Sequence, residues 1–207
     1  MASCLLILYF ITYELSYDQF HTNAERVYRV QGDTYENNVL ASQSAMTFPA
    51  VGPAMQQALP SVREYARLHA AHGLMRYKDA KFFEERVYYA DPALLKIFTF
   101  PLVNGSASSA LNDPYTMIIT EAMAGKYFGN ANPIGKQIVF SDQSFQQAYT
   151  VTGVLRDIPG NSHLKFDFLL SYASLVKLVK QMNMETQGVD AEKSWVWPMF
   201  YTYVLLD

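Results

Sequence analysis

The chain has 207 residues, of which 50% are hydrophobic and only 17% are charged. A sequence this apolar excludes an extensively disordered protein, and its length suits one core or one core with an inserted lobe. The formal net charge is −3 and the basic residues are scattered, which argues against a nucleic-acid-binding protein, because such proteins need a basic face for phosphates. Cys4 is the only cysteine, so the chain can form neither an intrachain disulfide nor a cysteine-based zinc site.

An uncharged apolar run lies at the start of the sequence, over residues 4–13. A membrane-spanning helix needs about 20 apolar residues, and this run has ten. It is open to three interpretations: a signal-peptide core, a buried core helix, or the outer end of a transmembrane helix. The signal peptide is disfavoured, because no basic segment precedes the run and no small-residue cleavage site follows it. Tyr9, Tyr13 and Tyr17 share one helical face, and tyrosine is typical of a membrane interface, so we favour the third interpretation.

Beyond the apolar run the sequence becomes polar and then predicts alternating strand and helix. Residues 27–31 alternate as a strand does, whereas residues 34–47 are polar and predict a loop. Apolar residues at helical spacing predict a helix over 51–59 that Pro60 ends, followed by a strand over 62–68. Strand, helix and strand in this order predict a βαβ unit, with a parallel pair of strands and a right-handed crossover.

The pattern changes near Gly73, where β-hairpins joined by short helices are predicted. The predicted elements of this middle part are a hairpin of strands 74–77 and 82–89, a short helix capped by Asp91 and running to Phe98, a strand over 115–119, a helix from Thr120-Glu121 to Gly129, and a hairpin of strands 138–140 and 149–155 around Asp142-Gln143. The last part predicts a strand over 166–170, a helix over 172–182, a polar loop over 186–193 and a strand over 200–206.

Two patterns resemble ligand sites, but their spacing is wrong. Gly129 to Lys136 resembles a phosphate-binding loop, yet five residues separate its glycines instead of four, and Gln137 stands where Ser or Thr is needed. A helix end, a proline turn and a strand start explain this segment better. His69 and His72 are three positions apart on a predicted strand and turn, so their side chains should diverge, and a third metal ligand is not near in sequence.

Catalytic signatures are also missing from the sequence. Glu84 and Glu85 are adjacent on a predicted strand, so they should face opposite sides and form a poor acid–base pair. The Gly-x-Ser-x-Gly motif of serine hydrolases does not occur, and Cys4 lies in the apolar run, where a thiolate is disfavoured. We therefore predict no catalytic residue, no metal site and no cofactor.

Aromatic residues cluster near the C-terminus. The cluster consists of Trp195, Trp197, Tyr201 and Tyr203. Packed against the first βαβ unit, these side chains would be core, which is the favoured interpretation. If exposed, Trp195 and Trp197 are the candidates for a surface that binds a partner.

Several segments resemble one protein family. They are Glu14–Val30, Ala90–Leu102, Ala124–Gly129, Asn132–Lys136, Val151–Leu155 and Asn161–His163. Each segment is short, but together their order and spacing resemble the extracytoplasmic domain of MacB/FtsX-type ABC transporter permeases, in the version common in Bacteroidetes. The resemblance covers nearly the whole chain.

The resemblance implies an α+β fold of the MacB periplasmic core type, in which a porter-like βαβ lobe carries an inserted, mostly β sabre-like lobe. Residues 1–20 would then be the outer end of a transmembrane helix and a stalk. Residues 21–72 and 161–207 would form the porter-like lobe, and residues 73–160 the sabre-like lobe. The family's chain continues past such a final strand, which leaves the completeness of the porter-like lobe open.

The resemblance also implies a function in transport rather than catalysis. A cytoplasmic ABC ATPase subunit or domain would hydrolyse ATP, and a permease homodimer or heterodimer in the bacterial inner membrane would transmit the motion to this domain on the periplasmic side. The stalk residues would be Glu14, Tyr17, Asp18 and Phe20. A ligand-binding or sensory membrane-anchored ectodomain without a coupled ATPase is the alternative, and a periplasmic enzyme is a third, weaker one.

Overall fold

The computed structural model describes residues 2–142, 145–182 and 190–207. The helices are α1 Ala2–Leu15, α2 Val51–Ala58, α3 Leu94–Ile97, α4 Glu121–Phe128 and α5 Tyr172–Gln181. The strands are β1 Val27–Arg29, β2 Gly32–Glu36, β3 Val39–Ser44, β4 Val62–Tyr77, β5 Ala80–Ala90, β6 Leu102–Gly105, β7 Thr116–Thr120, β8 Gln137–Ser141, β9 Gln146–Leu155, β10 Phe168–Ser171 and β11 Phe200–Leu206. Strands and helices alternate irregularly, as expected for the α+β class.

Among the described residues, nine strands form one mixed sheet in the order β1-β11-β4-β5-β10-β7-β9-β6, and β8 pairs with both β4 and β9. The pairings therefore close a ring of six strands, β4-β5-β10-β7-β9-β8. The pairs β5–β10 and β7–β9 are parallel, whereas the other pairs are antiparallel. The long strand β4 joins the two regions, because residues 62–69 pair with β11 and residues 74–76 pair with β8.

Both faces of the central strands are buried. Along β10, Phe168 and Leu170 belong to the core cluster that α4 and α5 cover, while Leu169 belongs to the cluster on the other side with α3. Along β7 the same alternation places Met117 and Ile118 on opposite sides. These strands read as continuous apolar runs because neither face meets water.

Several local predictions are confirmed by the structure. The hydroxyl of Thr120 caps α4 by accepting a hydrogen bond from the amide of Met123 at 3.4 Å, and Gly129 ends the helix with a φ of 59°. Strands β4 and β5 form a hairpin with a two-residue turn, in which Lys78 has a φ of 53°. Strands β8 and β9 form the other predicted hairpin, although Gln143 and residues 186–189 of the predicted polar loop lie outside the described residues.

Three predictions are wrong. The strands β1 and β4 are parallel but not neighbours, because β11 lies between them and is antiparallel to both. Residues predicted as loop over 34–47 form most of the hairpin of β2 and β3, and its turn is made by Asn37 and Asn38, both with positive φ. Asparagine favours the positive φ angles of such a turn. The polar composition of residues 34–47 nevertheless led to the prediction of a loop. Asp91 does not cap α3 with its side chain, which instead binds Arg67.

The predicted boundary between residues 72 and 73 falls inside β4, at the irregularity between Ala71 and Gly73. At this point β4 changes its partner from β11 to β8. The division of the chain into two lobes stays a prediction.

The N-terminal helix α1 lies apart from the core. Its side chains from Leu5 to Phe10 are between 58% and 73% exposed, which excludes the buried-core-helix interpretation within this chain. Within the described residues, helices long and apolar enough to cross a bilayer are absent, α1 having 14 residues.

Candidate functional site at the junction of the N-terminal helix and the sheet

Residues 16–23, which we call the junction segment, connect α1 to the rest of the chain. Asp18 adopts a left-handed backbone conformation with a φ of 58°, which aspartate tolerates better than most residues. This conformation turns the chain away from the helix, and the amide of Asp18 then donates a hydrogen bond of 2.9 Å to the carbonyl of Asn161. The junction is thus attached to the loop that precedes β10.

The carboxylate of Asp18 makes the central contacts of this attachment. One oxygen accepts hydrogen bonds from the hydroxyl of Ser162 at 3.0 Å and from the amide of His163 at 3.1 Å. The other oxygen lies 2.7 Å from Nδ1 of His163. Because a carboxylate of this kind only accepts, Nδ1 carries the hydrogen and donates it, and hydrogen bonds to an ionised acceptor are the stronger class.

His163 connects this contact to the sheet. Its second ring nitrogen, Nε2, lies 2.9 Å from the hydroxyl of Tyr203, a residue of β11 that is only 3% exposed. Burial raises the pKa of Tyr203, and the nearby Arg29 opposes that rise. The phenol therefore stays protonated and is a poor nucleophile, so the Asp18–His163–Tyr203 chain positions the junction rather than reacting.

A second set of contacts fixes the other end of the junction segment. The amide of Thr22 donates to the hydroxyl of Thr99 at 3.0 Å. The side-chain amide of Asn23 donates to the carbonyls of Lys96 and Ile97 at 3.0 and 3.2 Å, which satisfies acceptors that the C-terminus of α3 leaves open. The segment is therefore held at both ends by different parts of the chain.

Between these two attachments, His21 packs into an aromatic pocket, while Phe20, which is 39% exposed, lies at its edge with its ring centroid 6.3 Å from that of Phe100. His21 is 4% exposed, and its ring lies 4.7 Å from Phe100 and 5.2 Å from Phe98 between centroids. Its two ring nitrogens find no hydrogen-bond partner among the described residues. Burial lowers the pKa of His21, although the negative charge of Asp18 opposes this.

The burial of His21 predicts an acid-sensitive junction. Below its ordinary pKa of 6.5 the unfolded chain takes up a proton that folded His21 resists, so stability is lost as the pH falls through that value. The unfolding free energy of the original chain should decrease between about pH 7.5 and about pH 5. In the His21→Phe protein this decrease should be smaller, by on the order of 1 kcal/mol. Urea unfolding at the two pH values measures this.

Two other histidines define the control for that measurement. Burial also lowers the pKa of His69, so part of the acid sensitivity should remain in the His21→Phe protein. The same substitution at the exposed His72 serves as the control for the loss of a histidine ring outside the junction. Equal pH dependence in the original and His21→Phe proteins would contradict the assignment.

The four predicted stalk residues differ in their surroundings. Asp18 and Phe20 contact the rest of the chain as described, whereas Glu14 is exposed on the last turn of α1. The ring of Tyr17 packs edge-to-face on Tyr13 at 5.6 Å between centroids and is 37% exposed. Residues 161–163 form one of the segments that carry the family resemblance, but their role at the junction could not be predicted, because they lie about 145 positions from their partners.

The two predicted tryptophans lie in different environments. Trp195 is 58% exposed, next to Phe48 at 6.2 Å between ring centroids. Trp197 is half-buried and packs on Phe200 at 4.9 Å and on His69 at 5.0 Å. Of the two side chains, Trp195 is therefore the more available for a partner surface, and that role stays a prediction.

The structure also places the patterns that failed the spacing tests. Residues 129–136 form the end of α4 and a turn, after which β8 starts. Glu84 is buried and binds Lys126 and the hydroxyl of Tyr127, while Glu85 is exposed, so the two do face opposite sides. His69 and His72 both line one cavity, but their rings pack on different neighbours, His69 on Trp197 and Phe200 and His72 on Phe83. Across residues 2–142, 145–182 and 190–207, clusters of three or more potential metal ligands are absent.

The sequence and the fold both match proteins of transport systems. The sequence matches the family described as MacB-like periplasmic core domain over residues 1–206. Curated proteins gave no match. Among solved structures, a domain of a proposed permease protein from Porphyromonas gingivalis has a TM-score of 0.72 at 24% identity, covering 91% of this chain and 76% of that one.

Two further structures are more distant in sequence. The periplasmic region of MacB from Actinobacillus actinomycetemcomitans has a TM-score of 0.59 at 11% identity, covering 90% of this chain and 76% of that one. The extracellular domain of the noncanonic ABC-type transporter YknZ from Gram-positive bacteria has a TM-score of 0.55 at 15% identity, covering 87% and 83%. At these identities the structural likeness establishes the fold alone.

Proposed function

The chain belongs to the family of MacB-like periplasmic core domains, and on this basis we propose that it couples cytoplasmic ATP hydrolysis to movement or export of a substrate outside the inner membrane. As the periplasmic domain of a MacB-like ABC transporter permease, it is a non-catalytic part of that protein. Family membership also implies an ABC ATPase as partner. The chain's own task is then to receive motion from the membrane and to deliver it to the periplasmic sheet.

The attachment of the junction segment carries this proposal. A mechanical signal needs a connection that does not yield, and residues 16–23 are tied at one end through Asp18 and at the other through Asn23. The side-chain amide of Asn161 strengthens the first tie, because it donates to both the carbonyl and the hydroxyl oxygen of Ser16 at 3.0 Å. A displacement of the end of α1 would therefore move α3 and the loop before β10 together.

The apolar surface of α1 supports the direction of the coupling. Six consecutive exposed apolar side chains, residues 5–10, suit a lipid environment better than water. We propose that α1 is the outer end of a transmembrane helix of the permease. The sheet then lies on the periplasmic face of the bacterial inner membrane, in a homodimer or heterodimer of permease subunits with the ATPase on the opposite face.

The test compares two insertions in the full-length permease, assembled with its ATPase in lipid nanodiscs. One variant carries a Gly-Ser linker after Tyr17, and the control carries the same linker in the β4–β5 turn after Lys78. Double electron–electron resonance measures the distance between spin labels placed at Glu85 of the two subunits. The change in this distance on adding ATP and vanadate reports the nucleotide-driven motion. We expect the Tyr17 insertion to abolish the distance change while ATP hydrolysis continues, and the Lys78 insertion to preserve both.

The Asp18→Ala variant is a milder form of the same experiment, because it removes the carboxylate contacts and keeps the chain length. It should reduce the distance change without lowering ATP hydrolysis. A full nucleotide-driven distance change in the Tyr17 insertion variant would overturn the proposed coupling role of the junction.

A further inference from the structure

The two attachments of the junction segment each contain a histidine, but they hold it in different ways. At the first attachment, His163 uses both ring nitrogens, one with the carboxylate of Asp18 at 2.7 Å and one with the hydroxyl of Tyr203 at 2.9 Å. Next to the second attachment, His21 is 4% exposed, and both of its ring nitrogens are buried without a partner among the described residues. A buried polar atom without a partner costs free energy, so this ring is costly to bury.

The immediate surroundings of His21 are aromatic. Its ring centroid lies 4.1 Å from that of Phe20, 4.7 Å from that of Phe100 and 5.2 Å from that of Phe98. Phenylalanine rings attract a cation more weakly than water solvates it, and they offer no strong acceptor for an imidazolium N–H. The pocket therefore suits a neutral ring better than a charged one.

Charged groups on the elements packed around His21 do not change this balance. These groups are Asp18, His163, Glu25, Arg26 and Lys96. The first favours a positive charge on the ring and the second disfavours it. The next two carry opposite charges, and the amine of the last forms an ion pair with Glu64 at 3.3 Å. Burial is the largest influence, and it lowers the pKa of His21.

Resting on the proposed coupling role, we propose that acid weakens the second attachment and spares the first, so that the domain receives less of the motion of α1 when the periplasm is acidic. A proton on His21 favours the departure of residues 20–23 from the aromatic pocket, because a charged ring in water gains a hydrogen bond at each nitrogen. The adjacent hydrogen bonds of Thr22 and Asn23 are mostly exposed, so they resist this opening only weakly.

The first attachment should respond to acid in the opposite way. Nδ1 of His163 already carries the hydrogen that it donates to Asp18, so a second proton would go to Nε2. The contact with Asp18 would then be an ion pair, which is the stronger class of hydrogen bond. The hydroxyl oxygen of Tyr203 can accept from Nε2–H, because a phenol both donates and accepts. In addition, the amide of Asp18 keeps its bond of 2.9 Å to the carbonyl of Asn161.

Hydrogen exchange followed by NMR on the whole chain tests the selective weakening, with rates corrected for the intrinsic effect of pH. Between about pH 7.5 and about pH 5, protection of the Thr22 amide should fall about fivefold, whereas protection of the Asp18 amide should stay within about twofold. In the His21→Phe protein, protection of Thr22 should stay within about twofold. The matched control is His163→Gln, which keeps a donor near Asp18 and should still show the fall at Thr22.

The effect on coupling is tested in the full-length permease with its ATPase, in proteoliposomes whose lumen contains the periplasmic domain. Lowering only the luminal pH from about 7.5 to about 5 leaves the ATPase, outside the vesicle, at constant pH. The nucleotide-driven distance change between labels at Glu85 should shrink in the original protein and stay the same in the His21→Phe protein.

The two measurements separate this proposal from the proposed function. The proposal is overturned if protection of Thr22 does not fall with pH in the original chain, or if it falls equally in the His21→Phe protein. A fall in protection together with an unchanged distance change overturns the regulatory effect. The coupling role itself still stands in that case if the insertion after Tyr17 abolishes the distance change.

Discussion

Replacing Asp91 with alanine is expected to lower the free energy of unfolding by about 3–5 kcal/mol, because it leaves the buried charge of Arg67 without its partner. The two side chains form a bidentate pair, with Nε and Nη2 of Arg67 at 2.8 and 3.0 Å from the two carboxylate oxygens. Arg67 is 5% exposed and Asp91 is 9% exposed, so water cannot replace the lost contacts.

Arg67 also connects parts of the chain that are far apart in sequence. Its Nη1 donates to the carbonyl of Pro49 at 3.1 Å and to that of Glu192 at 3.4 Å, and its guanidinium lies 4.0 Å from the ring centre of Tyr172. Burial opposes the charge of Arg67, but the Asp91 carboxylate outweighs it and holds the pKa of the guanidinium above its ordinary value. Losing Asp91 should therefore also loosen the segment that leads into β11.

Urea unfolding followed by tryptophan fluorescence measures the cost of the Asp91 substitution. The matched control is Lys96→Met, which breaks an ion pair with Glu64 at 3.3 Å whose two side chains are 62% and 32% exposed. Exposed pairs contribute about 0–1 kcal/mol, so that variant should change little. A double variant, Arg67→Met with Asp91→Leu, should recover much of the loss, because it removes both charges. Equal losses for the Asp91 and Lys96 variants would contradict the assignment.

Replacing Gly73 with valine is expected to cost about 3 kcal/mol, at the upper end of the range for overpacking a buried site. Gly73 lies where β4 begins to pair with β8, the pairing that closes the six-stranded ring. A Cβ atom at Gly73 would lie 2.4 Å from the carbonyl oxygen of Ser141 and 2.8 Å from the ring of Phe140. The first contact is with backbone, so it can be relieved only by moving β8 away from β4.

Alanine at the same position gives a graded test, since it adds the Cβ atom alone, and it should cost less than valine. The control is Gly125→Ala in α4, where a Cβ atom meets nothing within 4 Å and the loss of glycine's freedom in the unfolded chain should raise stability by about 0.4–1 kcal/mol. Thermal unfolding separates the two by the direction of the change. If the Gly73→Ala protein were more stable than the original chain, β8 would have shifted without a cost in free energy. That outcome would contradict our expectation.

Many elements of this protein could be predicted from the sequence, because their signals are local. Thr120 and Gly129 mark the ends of α4 through hydrogen bonds and backbone angles within one turn of the helix. The hairpin of β4 and β5 follows from two strand patterns, 74–77 and 82–89, on either side of residues 78–81, of which Lys78 and Asp79 form the observed turn. The family could be recognised for a similar reason, since its motifs are short segments whose order along the chain is enough.

The tertiary structure alone decided which distant segments meet. Strand β11 separates β1 from β4, a placement that depends on hydrogen bonds between residues more than 130 positions apart, such as Phe200 and His69. Asp91 looked like a helix cap, yet a buried guanidinium attracts its carboxylate more strongly than backbone amides at a short helix do. Local periodicity does not encode such competition, because the competing partner is absent from the window in which the pattern is read.

The junction illustrates the same division. The sequence by itself determined that an apolar helix precedes a polar segment, because hydrophobicity is a property of each residue. Only the folded chain brings Asp18 to His163 and Tyr203, which are 145 and 185 positions away in sequence. Attachment of this kind arises from the packing of the whole sheet, which sets where the loop before β10 lies relative to α1.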